Sequence, residues 1–79
     1  MKNLHNVSAQ ELIKSLKILG YEITRQTGSH IRLSSHLIGE HHITIPNHNP
    51  LKVGTLAAIL ADIATHHKVS KVDIITKIF

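Results

Sequence analysis

The residues best suited to chemistry lie in one short stretch, "RQTGSHIRLSSH", from Arg25 to His36. A turn at Thr27-Gly28-Ser29 delivers His30 into a run of strand-forming residues, with Arg25 before it and Arg32 after it. Imidazole moves protons because its unperturbed pKa, about 6.5, lies near neutral pH. Guanidinium groups hold phosphate through paired N–H donors. A histidine between two arginines therefore suits proton transfer beside a bound anion. His30 and Arg32 are two apart and share a strand face, about 7 Å from each other. Lys52, ahead of a predicted helix, adds a cation near free backbone N–H groups. His48 sits in a Pro-x-His loop, as a brace, a contact or a candidate second proton-transfer group. Ser29 has no acid–histidine partner to make it a nucleophile and is read as a turn residue able to hydrogen-bond a phosphate.

The other histidines are surplus to this pattern. The chain has eight, including the pairs His41-His42 and His66-His67. Neighbours on a strand point to opposite faces, and neighbours on a helix diverge by about 100°, so neither pair chelates alone. No metal site is expected. With no cysteine, thiol catalysis, disulfides and thiolate zinc sites are excluded.

The elements that must position these residues follow from periodicity and punctuation. Ser8 and Glu11 form a capping box ahead of Leu12, Ile13, Leu16 and Leu19, and Gly20 ends that helix. Tyr21–Gln26, His30–Ser34 and His41–Ile45 read as strands. Ile31, Leu33, Ile43 and Ile45 point inward; His30, Arg32, Ser34, His42 and Thr44 point outward. By the same alternation Arg25 shares the inward face with Tyr21 and Ile23, unless a bulge at Gly28 rotates it. Leu56, Ile59, Leu60 and Ile63 form the stripe of a second long helix, starting at Pro50 or near Val53. Ser70 and Asp73 then cap a last short helix carrying Val72, Ile75 and Ile78, with Val69 able to staple onto Ile74.

The order is α-β-β-β-α plus a C-terminal helix. The expected fold is α+β, laid out like the double-stranded-RNA-binding domain: a three-stranded antiparallel sheet with helices on one face and a polar face opposite. Seventy-nine residues are expected to form a single domain, 1–79. Nine Lys and Arg against five Asp and Glu give a formal charge of +4, which suits a polyanionic partner. No run approaches the ~20 apolar residues of a membrane span, and "MKNLHNVSAQ" lacks a signal-peptide core, so a cytoplasmic protein is expected.

Gly20-Tyr21, Gly28-Ser29-His30, Ile45-Pro46-Asn47-His48 and Lys52-Val53-Gly54-Thr55-Leu56 occur in the order and spacing that resemble the HicA (YcfA-like) toxins of toxin–antitoxin pairs. The resemblance implies an endoribonuclease that cleaves mRNA without metal or other cofactor, uses the histidine of Gly-Ser-His (here His30), and is inhibited by a HicB-type antitoxin. In that chemistry His30 is the general base or acid, and Arg32 and Lys52, with Ser29, His48 and Arg25, are the RNA contacts. The competing readings are a non-catalytic RNA-binding module of the same fold and an adaptor that docks a protein.

Overall fold

The computed structural model describes residues 4–79. A short 3-10 turn, Leu4–Asn6, precedes α1, Ala9–Ser15, which tightens into a second 3-10 turn over Leu16–Leu19. Ser8 caps α1, its hydroxyl accepting from the Glu11 N–H. Gly20 closes the segment at φ +82. That left-handed conformation is costly to any residue with a Cβ, and a Cβ here would also lie 2.9 Å from Ser35 Oγ.

Three antiparallel strands follow in the order β1 (Glu22–Thr27), β2 (His30–Ser35) and β3 (His41–Pro46). Thr27 pairs with His30, which leaves a two-residue turn at Gly28-Ser29. Gly28 alone takes positive φ, +57, the arrangement of a II′ hairpin turn. Helix α2, Val53–His67, ends where Lys68 turns left-handed; α3 spans Lys71–Ile78 behind the capping box of Ser70 and Asp73. Helix α2 thus starts at Val53 and not at Pro50, whose peptide bond with Asn49 is cis.

The core is aliphatic. Leu12, Leu16, Leu33, Ile45, Leu56, Leu60 and Ile63 are fully buried, with Tyr21 the large aromatic among them. Helices cover the sheet face that carries Ile31, Leu33, Ile43 and Ile45, so the expected α+β arrangement is observed. Two apolar expectations need correction. Val72 is 60% exposed, because the buried stripe of α3 is Ile74, Ile75 and Ile78, a phase that turns Val72 to solvent. Ile23 stands opposite Leu33 on the covered side yet is 50% exposed, since β1 is the sheet's outer edge and the helices do not reach over it.

Candidate active site

The position of Arg25 decides what the site is. Between Ile23 and Arg25 the pairing of β1 with β2 slips by one residue: Ile23 stands opposite Leu33, and Arg25 opposite Arg32. Thr24 is the extra residue of a β-bulge. Beyond it the alternation is inverted, so Gln26 takes the covered side opposite Ile31, while Arg25 shares the open face with Arg32. The expected inward placement of Arg25 is therefore corrected. The bulge that turns it lies at Thr24, not at Gly28, where the hairpin is regular.

The consequence is a groove of about 210 Å³ lined by Arg25, Thr27, His30, Arg32 and Thr44. His30 opens β2, flanked by Thr27 on one side and Pro46 on the other. One row further along, Arg25, Arg32 and Thr44 stand abreast. His30, Arg25 and Arg32 are all exposed. Among the described residues, none of the three has a side-chain hydrogen bond or ion pair, and no carboxylate lines the groove. Two guanidinium groups and one imidazole thus face an open space with their donors uncommitted. That arrangement attracts a phosphate and leaves an imidazole beside it for proton transfer.

The remaining predicted residues, Ser29, His48 and Lys52, do not line this groove. Ser29 is exposed in the turn, and its carbonyl accepts from the Asn47 N–H at 2.7 Å, tying the hairpin to the loop after β3. That loop carries His48, whose carbonyl accepts from the Ala9 N–H at 2.9 Å. The backbone of His48 is thus a brace to α1, and its side chain is exposed. Lys52 is exposed at the N-cap of α2.

Two polar clusters were not legible in the sequence. On the open face beyond Arg32, the Ser34 hydroxyl is hydrogen-bonded to His42 Nδ1, and His42 Nε2 donates to Glu40 at 2.6 Å. This contact holds the Glu40 carboxyl below its ordinary range, the hydrogen bond contributing more than the charge of the ring. On the covered side, His41 Nδ1 lies 2.6 Å from the Tyr21 hydroxyl, and His41 Nε2 3.2 Å from Asp62. His66 stacks on His41 at 4.4 Å, and His67 Nε2 reaches the Tyr21 hydroxyl at 3.2 Å. Burial, then Asp62, pushes the Tyr21 pKa up to about 12. Burial, followed by the neighbouring His66 and His41, lowers that of His67. Apart from Glu40 with His42 and His66 with His67, the members of each cluster are far apart in sequence and meet only through the fold, so local spacing does not reveal the assembled clusters. Among the described residues no three His, Asp or Glu side chains are gathered so as to hold a metal ion.

A larger cavity, about 260 Å³, lies among Leu19, Leu37, Ile38, Val69 and Ile74. His67, Asp73 and Lys77 also line it, but His67 is bonded to Tyr21 and Asp73 to the Ser70 cap. The groove at His30, though smaller, is the one whose polar side chains are uncommitted. No helix among the described residues is long and apolar enough to cross a membrane.

Comparison with known proteins gives one match. The family model described as HicA toxin of bacterial toxin–antitoxin systems matches residues 9–64, from the first residue of α1 to the last turn but one of α2. No curated protein and no solved structure matches.

Proposed function

The chain belongs to the HicA toxin family, and on that premise we propose that it is a metal-independent endoribonuclease that cleaves mRNA with His30 as its proton-transfer residue and is held inactive by a HicB-type antitoxin. The observation that carries this reading is the convergence of Arg25 and Arg32 beside His30 in one open groove.

The chemistry that suits these groups is attack by the RNA's own 2′-hydroxyl. The 2′ oxygen bonds to phosphorus as the bond from phosphorus to the 5′ oxygen breaks. One proton leaves the 2′-hydroxyl and one joins the departing 5′ oxygen. Charge gathers meanwhile on the two non-bridging oxygens. Arg25 and Arg32 meet that charge, which is stabilised most by donors already in place before the reaction. His30 carries one of the two protons. The groove supplies a single imidazole and no carboxylate, so the other transfer falls to water. Thr27 and Thr44 offer hydroxyls to the phosphate from either flank. Ser29, His48 and Lys52 are exposed on the turn and on the loop leading from β3 to α2, where they extend the contact along the RNA backbone.

The test is incubation of a short RNA with the purified protein in EDTA, followed by end-group analysis. The expected products carry a 2′,3′-cyclic phosphate and a 5′-hydroxyl. Products ending in a 3′-hydroxyl contradict 2′-hydroxyl attack, and salt-sensitive binding with no cleavage identifies a non-catalytic RNA-binding module instead.

A further inference from the structure

The bulge that brings Arg25 into the groove is tied down by a chain of side-chain hydrogen bonds that no motif announces. Thr24, the extra residue, lies with its hydroxyl 3.4 Å from the Arg32 carbonyl and 3.3 Å from Ser34 Oγ. Ser34 is 5% exposed and bonded to His42 Nδ1, and His42 Nε2 is bonded to Glu40. The direction of this chain follows from what each group can do. An ionised carboxylate only accepts, so His42 Nε2 carries a proton and donates to Glu40. From His42 Nδ1 the line continues through Ser34 Oγ to Thr24 Oγ1, and the Thr24 hydroxyl donates to the Arg32 carbonyl.

The anchor sits where it matters. Without the extra residue, strict alternation would put Arg25 on the covered side with Ile23, and the groove would keep Arg32 alone. A bulge at an edge strand interrupts only one ladder, so it is easily lost unless something fixes it. Here the fixing group is the bulged residue's own hydroxyl, held by a nearly buried serine on the neighbouring strand.

We propose that Thr24 is a positioning residue for the cleavage reaction: its hydroxyl, held by Ser34 and through it by His42 and Glu40, locks the β1 bulge and so keeps Arg25 abreast of Arg32 beside His30. This rests on the ribonuclease reading for its catalytic consequence, but not for its structural one. Thr24 touches no substrate, and it acts through Arg25.

The experiment compares wild type, Thr24→Val and Thr24→Ser. Val keeps the shape and β-branching and loses the hydroxyl; Ser keeps the hydroxyl. Two quantities are read: the cross-strand nuclear Overhauser contacts between the Arg25 and Arg32 backbones, and single-turnover cleavage of a short RNA. Thr24→Val is expected to lose the Arg25–Arg32 contacts while keeping those between β2 and β3, and to cleave about a hundredfold more slowly, the scale of one displaced charge-stabilising donor. Thr24→Ser is expected to retain both properties. If Thr24→Val does not fold, Ser34→Ala removes the next link and is read the same way. Thr24→Val with the register intact overturns the proposal, as does a lost register with unchanged cleavage. Absence of cleavage by the wild type contradicts the ribonuclease reading instead, while the backbone contacts still decide whether the hydroxyl holds the bulge.

Discussion

At the scale of single residues, what separates His30 from the four histidines of the two polar clusters is what it does not do. His41, His42, His66 and His67 all spend ring nitrogens on partners inside the protein, whereas His30 faces the groove without one. His67 shows the opposite case and yields a prediction. Its folded-state pKa lies below the ordinary 6.5, with burial the larger cause and the positive neighbours His66, His41 and Lys77 after it. The unfolded chain therefore binds a proton first as pH falls. The favourable contribution of neutral His67 is complete above pH 6.5 and is lost as pH drops through 6.5 towards the lower folded value. Urea midpoints followed from pH 8 to pH 5 should fall, and His67→Gln should flatten that slope. A slope unchanged by His67→Gln would show that another group sets it. Gly20 gives a second residue-scale prediction. Gly20→Ala combines φ +82 with a contact at Ser35 Oγ, whose hydroxyl donates to the Leu19 carbonyl at 2.8 Å. A loss of about 2 kcal/mol is expected from denaturant titration, with the strain alone contributing about 1–2.

At the scale of elements, caps and turns decide the boundaries. Ser70 accepts from the Asp73 N–H, while the Asp73 carboxylate accepts from the Ser70 N–H. Ser70→Ala should lower stability by about 1 kcal/mol, measured by chemical denaturation. If it does not, α3 is held by Ile74, Ile75 and Ile78 alone. Such features were legible beforehand because their signals are local: Ser8, Gly20, Gly28 and Ser70 each act within a few residues of themselves. The sheet faces of β2 and β3 were equally legible, because Ile31, Leu33, Ile43 and Ile45 keep strict alternation. Strand β1 was not. Its residues are exposed throughout, so burial imposes no phase on them, and the bulge at Thr24 arises from pairing with β2 and from the Ser34 hydroxyl. Val72 was misread for a related reason, since Val72, Ile75 and Ile78 at helical spacing form a stripe, and only docking of the helix decides that Ile75 and Ile78 are buried with Ile74 while Val72 is not. Of the site, His30, Arg32 and Thr44 were visible on the open face from alternation, whereas the placement of Arg25 and Thr27 required register.

At the scale of the whole molecule, the sheet is a divider. The helices fill one side with aliphatic residues, and the other side is left for polar chemistry. Along that open side the charge is graded: His30, Arg25 and Arg32 at the hairpin end, and Glu22, His42 and Glu40 at the far end. On the proposed function an RNA backbone binds at the hairpin end, and that binding should weaken steeply with added salt, as expected where a chain of net charge +4 meets phosphates. Arg25→Ala and Arg32→Ala should each reduce the salt slope by about one; a slope unmoved by both would place the RNA elsewhere. The most direct measurement is single-turnover cleavage of a short RNA in EDTA by wild type and by His30→Gln, with matched thermal unfolding curves to show equal folding. Cleavage by the wild type and its loss in His30→Gln, with RNA binding retained, is the predicted result. Undiminished cleavage by His30→Gln would contradict a catalytic role for that imidazole.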